Sequence, residues 1–194
     1  MKTGIFGGTF DPPHIGHLIA AQDAREALQL DRILFVPARE PPHKRERRIS
    51  DPADRVAMLR AAIADEPRFQ LCELELERAG PSYTVETLRA LRAESPEETF
   101  FLLIGADQAM DLANWREPEE IARLATIVLL AREGVDAVPA ARLLLGSAVR
   151  VTRVDIAATD IRQRVAEGRS IRFLVPAAVE RVIREKKLYL RSES

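Results

Sequence analysis

Cysteine is all but missing from this chain: Cys72 is the only one among 194 residues. A single thiol forms neither an internal disulfide nor a cysteine-based zinc site, so a reducing compartment is expected. Histidine is almost as scarce, with three residues, His14, His17 and His43; tryptophan occurs once, as Trp115. No apolar stretch approaches the roughly 20 residues that a membrane-crossing helix needs. The first residues run into a strand-like segment and not into the long apolar region of a secretory leader. Lys+Arg 29 against Asp+Glu 30 leaves a net charge of −1. That balance gives no global electrostatic reason to expect nucleic acid or an anionic membrane as partner. The expectation is a cytoplasmic globular protein with one local basic run, Lys44-Arg45-Glu46-Arg47-Arg48.

What is present is apolar material in a regular order. The 46% hydrophobic content suffices for a core within one domain. Lys2–Phe6 reads as a short buried strand, followed by a Gly/Pro-rich loop and a helix from Ile15 to about Leu28. Arg32–Val36 is a second strand. A helix begins at Asp51-Pro52-Ala53-Asp54, with an N-cap acid and proline at the first helical position, and Val56, Leu59 and Ile63 form its expected buried stripe. Phe69–Leu76 alternates as a half-buried strand does, and a helix is expected around Val85–Arg92. Thr99–Ile104 and Thr126–Ala131 are unbroken apolar runs suited to central parallel strands. Val149–Val154 is the last expected strand, and Thr159–Glu167 and Pro176–Lys186 are closing helices. This alternation predicts an α/β fold, a Rossmann-like, doubly wound, mainly parallel sheet. We expect a single domain over 1–194, with 159–194 a helical C-terminal extension packed on it. In such folds ligands bind beyond the carboxyl ends of the strands.

The chemistry-bearing residues cluster at such places. In GGTFDPPHIGH, directly after the first strand, Gly7 and Gly8 permit a tight turn and close backbone approach to a ligand. The helix that follows offers unpaired N–H groups and a positive dipole end. Neither the dinucleotide fingerprint G-x-G-x-x-G nor the P-loop G-x-x-x-x-G-K-[ST] occurs. His14 and His17, three apart, can face one crevice. On spacing alone they form a structural corner, part of a metal clip or a phosphate grip; a zinc site would need His43 or a carboxylate to complete it. Lys44 lies in a proline-stiffened loop, Tyr83 and Thr84 precede a helix, and Asp107 follows the strongest strand, where it is either an N-cap or a ligand contact. Thr159 and Arg162 open a late helix, where arginine can clamp phosphates bidentately.

The run Gly8-Thr9-Phe10-Asp11-Pro12-Pro13-His14-Ile15-Gly16-His17 resembles the signature of the nucleotidyltransferase superfamily related to class I aminoacyl-tRNA synthetases. Further stretches resemble the bacterial nicotinate mononucleotide adenylyltransferases: 41–44, 82–88, Gly105-Ala106-Asp107 with Trp115, 159–162 and 171–176. The resemblance runs in order from residue 4 to about 189. It implies adenylyl transfer from ATP to nicotinate mononucleotide, giving deamido-NAD and pyrophosphate, with Mg²⁺ carried in on the ATP phosphates and no protein metal site. It implies His14, His17, Lys44 and Arg162 as catalytic groups. The ATP site would comprise Gly7, Gly8, Thr9, Phe10, His14, His17, Gly105, Asp107, Thr159 and Arg162. The acceptor site would comprise Lys44, Tyr83, Thr84, Asp107 and Trp115, with the N–H groups of Tyr83 and Thr84 receiving the nicotinate carboxylate. One departure stands out: Ala157 occupies a place where the family usually has serine. The rival readings are a nicotinamide mononucleotide acceptor, another phosphorylated acceptor, and a nucleotide-binding sensor without catalysis.

Overall fold

A computed structural model of the chain describes residues 1–40, 49–131 and 146–190. Among these, six strands form one parallel sheet in the order β3-β2-β1-β4-β5-β6. They are β1 (Lys2–Gly8), β2 (Arg32–Pro37), β3 (Phe69–Leu71), β4 (Thr99–Gly105), β5 (Thr126–Ala131) and β6 (Ser147–Arg150). The chain builds outward from β1 to β3, then crosses back to lay β4 against the other side of β1. The strand order therefore reverses between β1 and β4, and the carboxyl ends of these two strands frame a crevice.

Both faces of the sheet are covered, which is why its strands read as continuous apolar runs. Successive side chains point to opposite faces. Ile5, Val36, Leu102, Ile104 and Leu129 pack against α4 (Thr84–Glu94), α5 (Ala106–Asp111) and α6 (Pro118–Leu124). Phe6, Phe35, Leu103, Val128 and Leu130 pack on the other face against α1 (Ile15–Leu28) and α2 (Pro52–Ile63). The small residues Ala21 and Ala24, both fully buried, let α1 sit close to the strands. A third cluster joins Met58 of α2 to α7 (Ala158–Ala166) and α8 (Ala177–Glu185) through Ile161, Ile171, Val175, Val179 and Ile183. Among the described residues no helix is long and apolar enough to cross a membrane.

Several expected elements are shorter than their sequence patterns. The strand expected over Phe69–Leu76 ends at Leu71, and the chain turns into α3 (Leu74–Glu77). Cys72 N–H still reaches the Phe35 carbonyl at 2.9 Å. Beyond it the chain turns into α3, where Glu75 is buried and accepts the Thr87 hydroxyl at 2.8 Å. The strand expected over Val149–Val154 spans Ser147–Arg150, because Thr152 N–H leaves the ladder and donates to the Asp23 carboxylate on α1 at 2.6 Å. The buried stripe of α2 contains Arg55 and Met58 beside Leu59 and Ile63, while Val56 is only half-buried. Asp51 caps that helix as its sequence predicts, its carboxylate accepting Ala53 N–H at 2.8 Å. The loop over 132–141 lies outside the described residues.

Candidate active site

The carboxyl end of β1 delivers the first group of predicted residues. Gly7 faces the α4 layer, and a side chain there would enter open space. Gly8 faces the other way, where an added Cβ would stand 2.9 Å from the Phe10 ring. Phe10 adopts a left-handed φ of 51°, a conformation that costs a non-glycine residue about 1–2 kcal/mol. Burial of its ring against Phe6, Phe35 and His17 offsets that cost. Phe10 is 2% exposed, so it offers a ligand its backbone and not its ring.

His14 is the N-cap of α1, and His17 closes its first turn. The two imidazoles stack with centroids 3.7 Å apart and an interplanar angle of 30°. Between them Gly16 makes room: a Cβ there would lie 3.1 Å from His14 Nδ1 and 3.2 Å from its Cε1. His14 N–H donates to His17 Nδ1 at 3.2 Å. This bond fixes the tautomer, since a neutral ring that accepts at Nδ1 carries its proton on Nε2 and donates there. A half-buried N–H donor thus stands at the positive end of α1. The corner and phosphate readings of these histidines are compatible: the same backbone turn that caps the helix aims the rings.

On the opposite face of β1, Gly7, Val36, Glu75, Thr84, Gln108 and Trp115 line a common cavity. Trp115 is half-buried and packs against the core cluster on this face of the sheet. Thr84 opens α4, whose first turn has no side-chain cap. Tyr83 is the N-cap itself. Its N–H donates to the Pro81 carbonyl at 3.1 Å, so of the two amides expected to face a carboxylate this one is already engaged. Ser82 does not cap the helix either; its hydroxyl accepts Arg39 N–H at 2.9 Å and bonds Glu75. Burial pushes the Glu75 carboxyl above its ordinary range, while bonds from Thr87 and Ser82 and the nearby Arg78 act against that rise. The Tyr83 ring lies beneath the Arg116 guanidinium at 4.8 Å. Gly105 is the N-cap of α5, which leaves Asp107 exposed in its first turn and free of a capping role.

The third group comes from α7. Thr159 is exposed on its first turn, and its hydroxyl accepts from Arg162 Nη2 at 3.2 Å. Arg162 also reaches across to the loop after β1, donating from Nη1 to the Asp11 carbonyl at 2.7 Å. Ala157 is the N-cap of α7, in extended conformation and with no side chain to bond the helix amides. Lys44 and His43 lie outside the described residues. Among the described residues no group of three or more His, Cys, Asp or Glu is arranged to hold a metal ion.

A family model described as cytidylyltransferase-like matches residues 5–164. The chain belongs to the cytidylyltransferase-like family. Within this family it is 46% identical to a protein of Exiguobacterium sibiricum, over 97% of this chain and 99% of the relative. It is 45% identical to one of Thermus thermophilus, over 97% of this chain and 100% of the relative. Both carry the name "Probable nicotinate-nucleotide adenylyltransferase". The cytidylyltransferase-like fold also superposes on the nicotinic acid mononucleotide adenylyltransferase of Plasmodium falciparum complexed with NaAD. That match has a TM-score of 0.81 at 17% identity, covering 97% of each chain.

Sequence reasoning passed over the residues that support this cytidylyltransferase-like site from below. Arg55 is fully buried. It donates to the Thr9 carbonyl at 2.9 Å and the Ser50 carbonyl at 3.1 Å. Burial lowers its pKa, and the nearby Asp11, Tyr189 and Asp51 act in the other direction. Asp11, 5% exposed, accepts Ser50 N–H at 3.2 Å and the Tyr189 hydroxyl at 2.6 Å. Only Asp11 carried a signal, as part of the quoted motif; Arg55 and Tyr189 sit among charged residues that read as surface.

Proposed function

We propose that this chain transfers the adenylyl group of ATP to nicotinate mononucleotide, forming deamido-NAD and pyrophosphate. One juxtaposition carries the reading. At the reversal of strand order, β1 delivers a histidine pair on one face and a cavity lined by Thr84 and Trp115 on the other. The first suits a triphosphate and the second a ring-bearing mononucleotide. The acceptor's phosphate oxygen attacks the α-phosphorus in line; the new P–O bond forms as the bond to the β-phosphate oxygen breaks, and pyrophosphate leaves. The nucleophile is already ionised, so no protein base is required, and the gain comes from positioning and charge stabilisation. His17 Nε2–H and the His14 ring stabilise charge on the α- and β-phosphates, with the backbone of Gly8, Thr9 and Phe10 in support. Arg162 and Thr159 receive the β- and γ-phosphates, and Lys44 the acceptor phosphate. Gly105 and Asp107 contact the ribose, Trp115 stacks on the pyridine ring, and the Thr84 amide faces its carboxylate, with Tyr83 beside it.

The outer ring nitrogen of His17 carries an N–H, which fits a phosphate oxygen and not a cation. Mg²⁺ therefore fits best as part of the incoming nucleotide, held by phosphate oxygens and water, where it neutralises charge on the leaving group. The two C-terminal helices belong to the same catalytic domain, since Arg162 reaches the loop after β1.

Pyrophosphate release from ATP with each candidate acceptor tests the reading. Turnover with nicotinate mononucleotide should far exceed that with nicotinamide mononucleotide, and His17→Ala should lower it by about 10²–10³-fold. Higher turnover with the amide would move the acceptor assignment, and no turnover with any acceptor would leave a nucleotide-binding protein.

A further inference from the structure

Adenylyl transfer as argued above makes no use of the last residues that the structure describes, yet one of them reaches the loop that carries the histidines. Beyond α8 the chain folds back over α2, and Tyr189, at a left-handed φ of 62°, donates its hydroxyl to Asp11 Oδ1 at 2.6 Å. Ser50 N–H holds Oδ2 of the same carboxylate at 3.2 Å. The main-chain carbonyl of Asp11 is the acceptor for Arg162 Nη1 at 2.7 Å. A single residue thus links the C-terminal segment, the segment before α2, the first turn of α7 and the approach to His14.

We propose that Tyr189 is a positioning residue for the reaction, acting through Asp11 to set Arg162 and the His14–His17 stack. The inference rests on the reading of those three residues as the phosphate-binding groups. The physical argument is directional. Arg55, buried beneath the loop, attracts the Asp11 carboxylate from one side. The Tyr189 hydroxyl, which also lies 3.6 Å from Met58 Sδ, holds it from another. Without that donor, Oδ1 loses its 2.6 Å partner, and the carboxylate turns toward Arg55 and the Ser50 amide. The carboxylate can make that move only by drawing the Asp11 backbone with it, which shifts the carbonyl that Arg162 binds and tilts the approach to His14. The Tyr189 ring belongs to the Met58–Val179–Ile183 cluster, and that packing survives loss of the hydroxyl alone.

The test uses the full chain with Tyr189→Phe, Asp11→Asn, their combination, and Leu188→Ala as a packing control. Leu188 is partly buried in the same cluster and makes no contact with Asp11 through a polar group. Rates are taken with nicotinate mononucleotide and ATP at temperatures where circular dichroism shows each variant folded. The expected result is a kcat roughly tenfold lower for Tyr189→Phe, with KM for nicotinate mononucleotide within about twofold of the parent. The double variant should lose no more than the worse single one, because both act through one bond. Leu188→Ala should lower the melting temperature without lowering kcat. The proposal is overturned if Tyr189→Phe retains kcat within about twofold, if the two losses multiply, or if Leu188→Ala lowers kcat to the same degree. It also falls if Tyr189→Phe does not fold, since the hydroxyl is then a structural group. His17→Ala is assayed in parallel: unimpaired turnover there removes the phosphate-site reading itself, whereas a loss there with none in Tyr189→Phe removes only the positioning role.

Discussion

At the scale of single residues the site depends on space as much as on donors. Gly16 lies between the two histidines because a methyl group would press on His14 at 3.1 Å from Nδ1. Gly16→Ala should lower kcat about tenfold by displacing that ring. Its stability should change by less than about 1 kcal/mol, since alanine also improves helix propensity; kinetics and denaturant titration on the same sample separate the two effects. Glu75 gives a pH-dependent prediction. Its carboxyl is pushed up by burial, so between its unfolded pKa, about 4.3, and its higher folded value the native state holds more protons than the unfolded state. Stability must then fall as pH rises through that window. Urea titrations from pH 4 upward should show a decline in the parent that is absent in Glu75→Gln, and equal slopes would refute the assignment. The histidine pair was legible in the sequence because residue identity alone marks it in a chain with three histidines. The need for Gly16 was not, because it is a distance between non-adjacent atoms.

At the scale of elements, the proposed function rests mostly on helix starts. The first turns of α1, α4 and α7 carry His14 and His17, Thr84, and Thr159 and Arg162, each at a dipole end that favours anions. The N-cap of α7 is Ala157, whose side chain has no atom able to accept a bond from the first-turn amides. Ala157→Ser restores an N-cap acceptor. It should stabilise the protein by about 0.5–2 kcal/mol and raise the melting temperature by roughly 2–4 °C per kcal/mol for a chain of this size. An unchanged melting temperature would show that solvent already serves those amides. Long elements were readable because continuous apolar runs and 3.6-residue periodicity are local properties. The short α3, α5 and α6 were not, because each is stabilised by what it packs on and too brief to show a period. The alternation after Phe69 was misleading for the same reason: beyond Leu71 the chain leaves the sheet for α3, where Glu75 meets Thr87, a partner 12 residues away.

At the scale of the whole molecule, Arg55 ties distant segments to one another. It is fully buried on α2 and holds the carbonyls of Thr9 and Ser50 beside the Asp11 carboxylate. Arg55→Ala would leave two carbonyls short of a donor and a buried carboxylate without its counter-charge, at a cost of about 3–5 kcal/mol. Arg55→Lys should recover only part of that, because an ammonium cannot reach separate acceptors as the planar fork does. Guanidinium denaturation of the three proteins measures both. The sequence pattern of α2 marks Val56, Leu59 and Ile63 and passes over Arg55, since an arginine in an amphipathic helix is ordinarily exposed. Its burial is explained only by the acceptors that the loop after β1 brings to it. By itself the sequence determined which groups exist and in what local setting: parallel strands from unbroken apolar runs, helix starts from caps and prolines, a rare histidine pair at one of them. Tertiary structure alone decided that β1 and β4 adjoin, that Thr84 and Trp115 share one cavity, and that Tyr189 meets Asp11. Those contacts follow from which faces bury against which, and burial is a property of the packed whole that no local window of sequence contains.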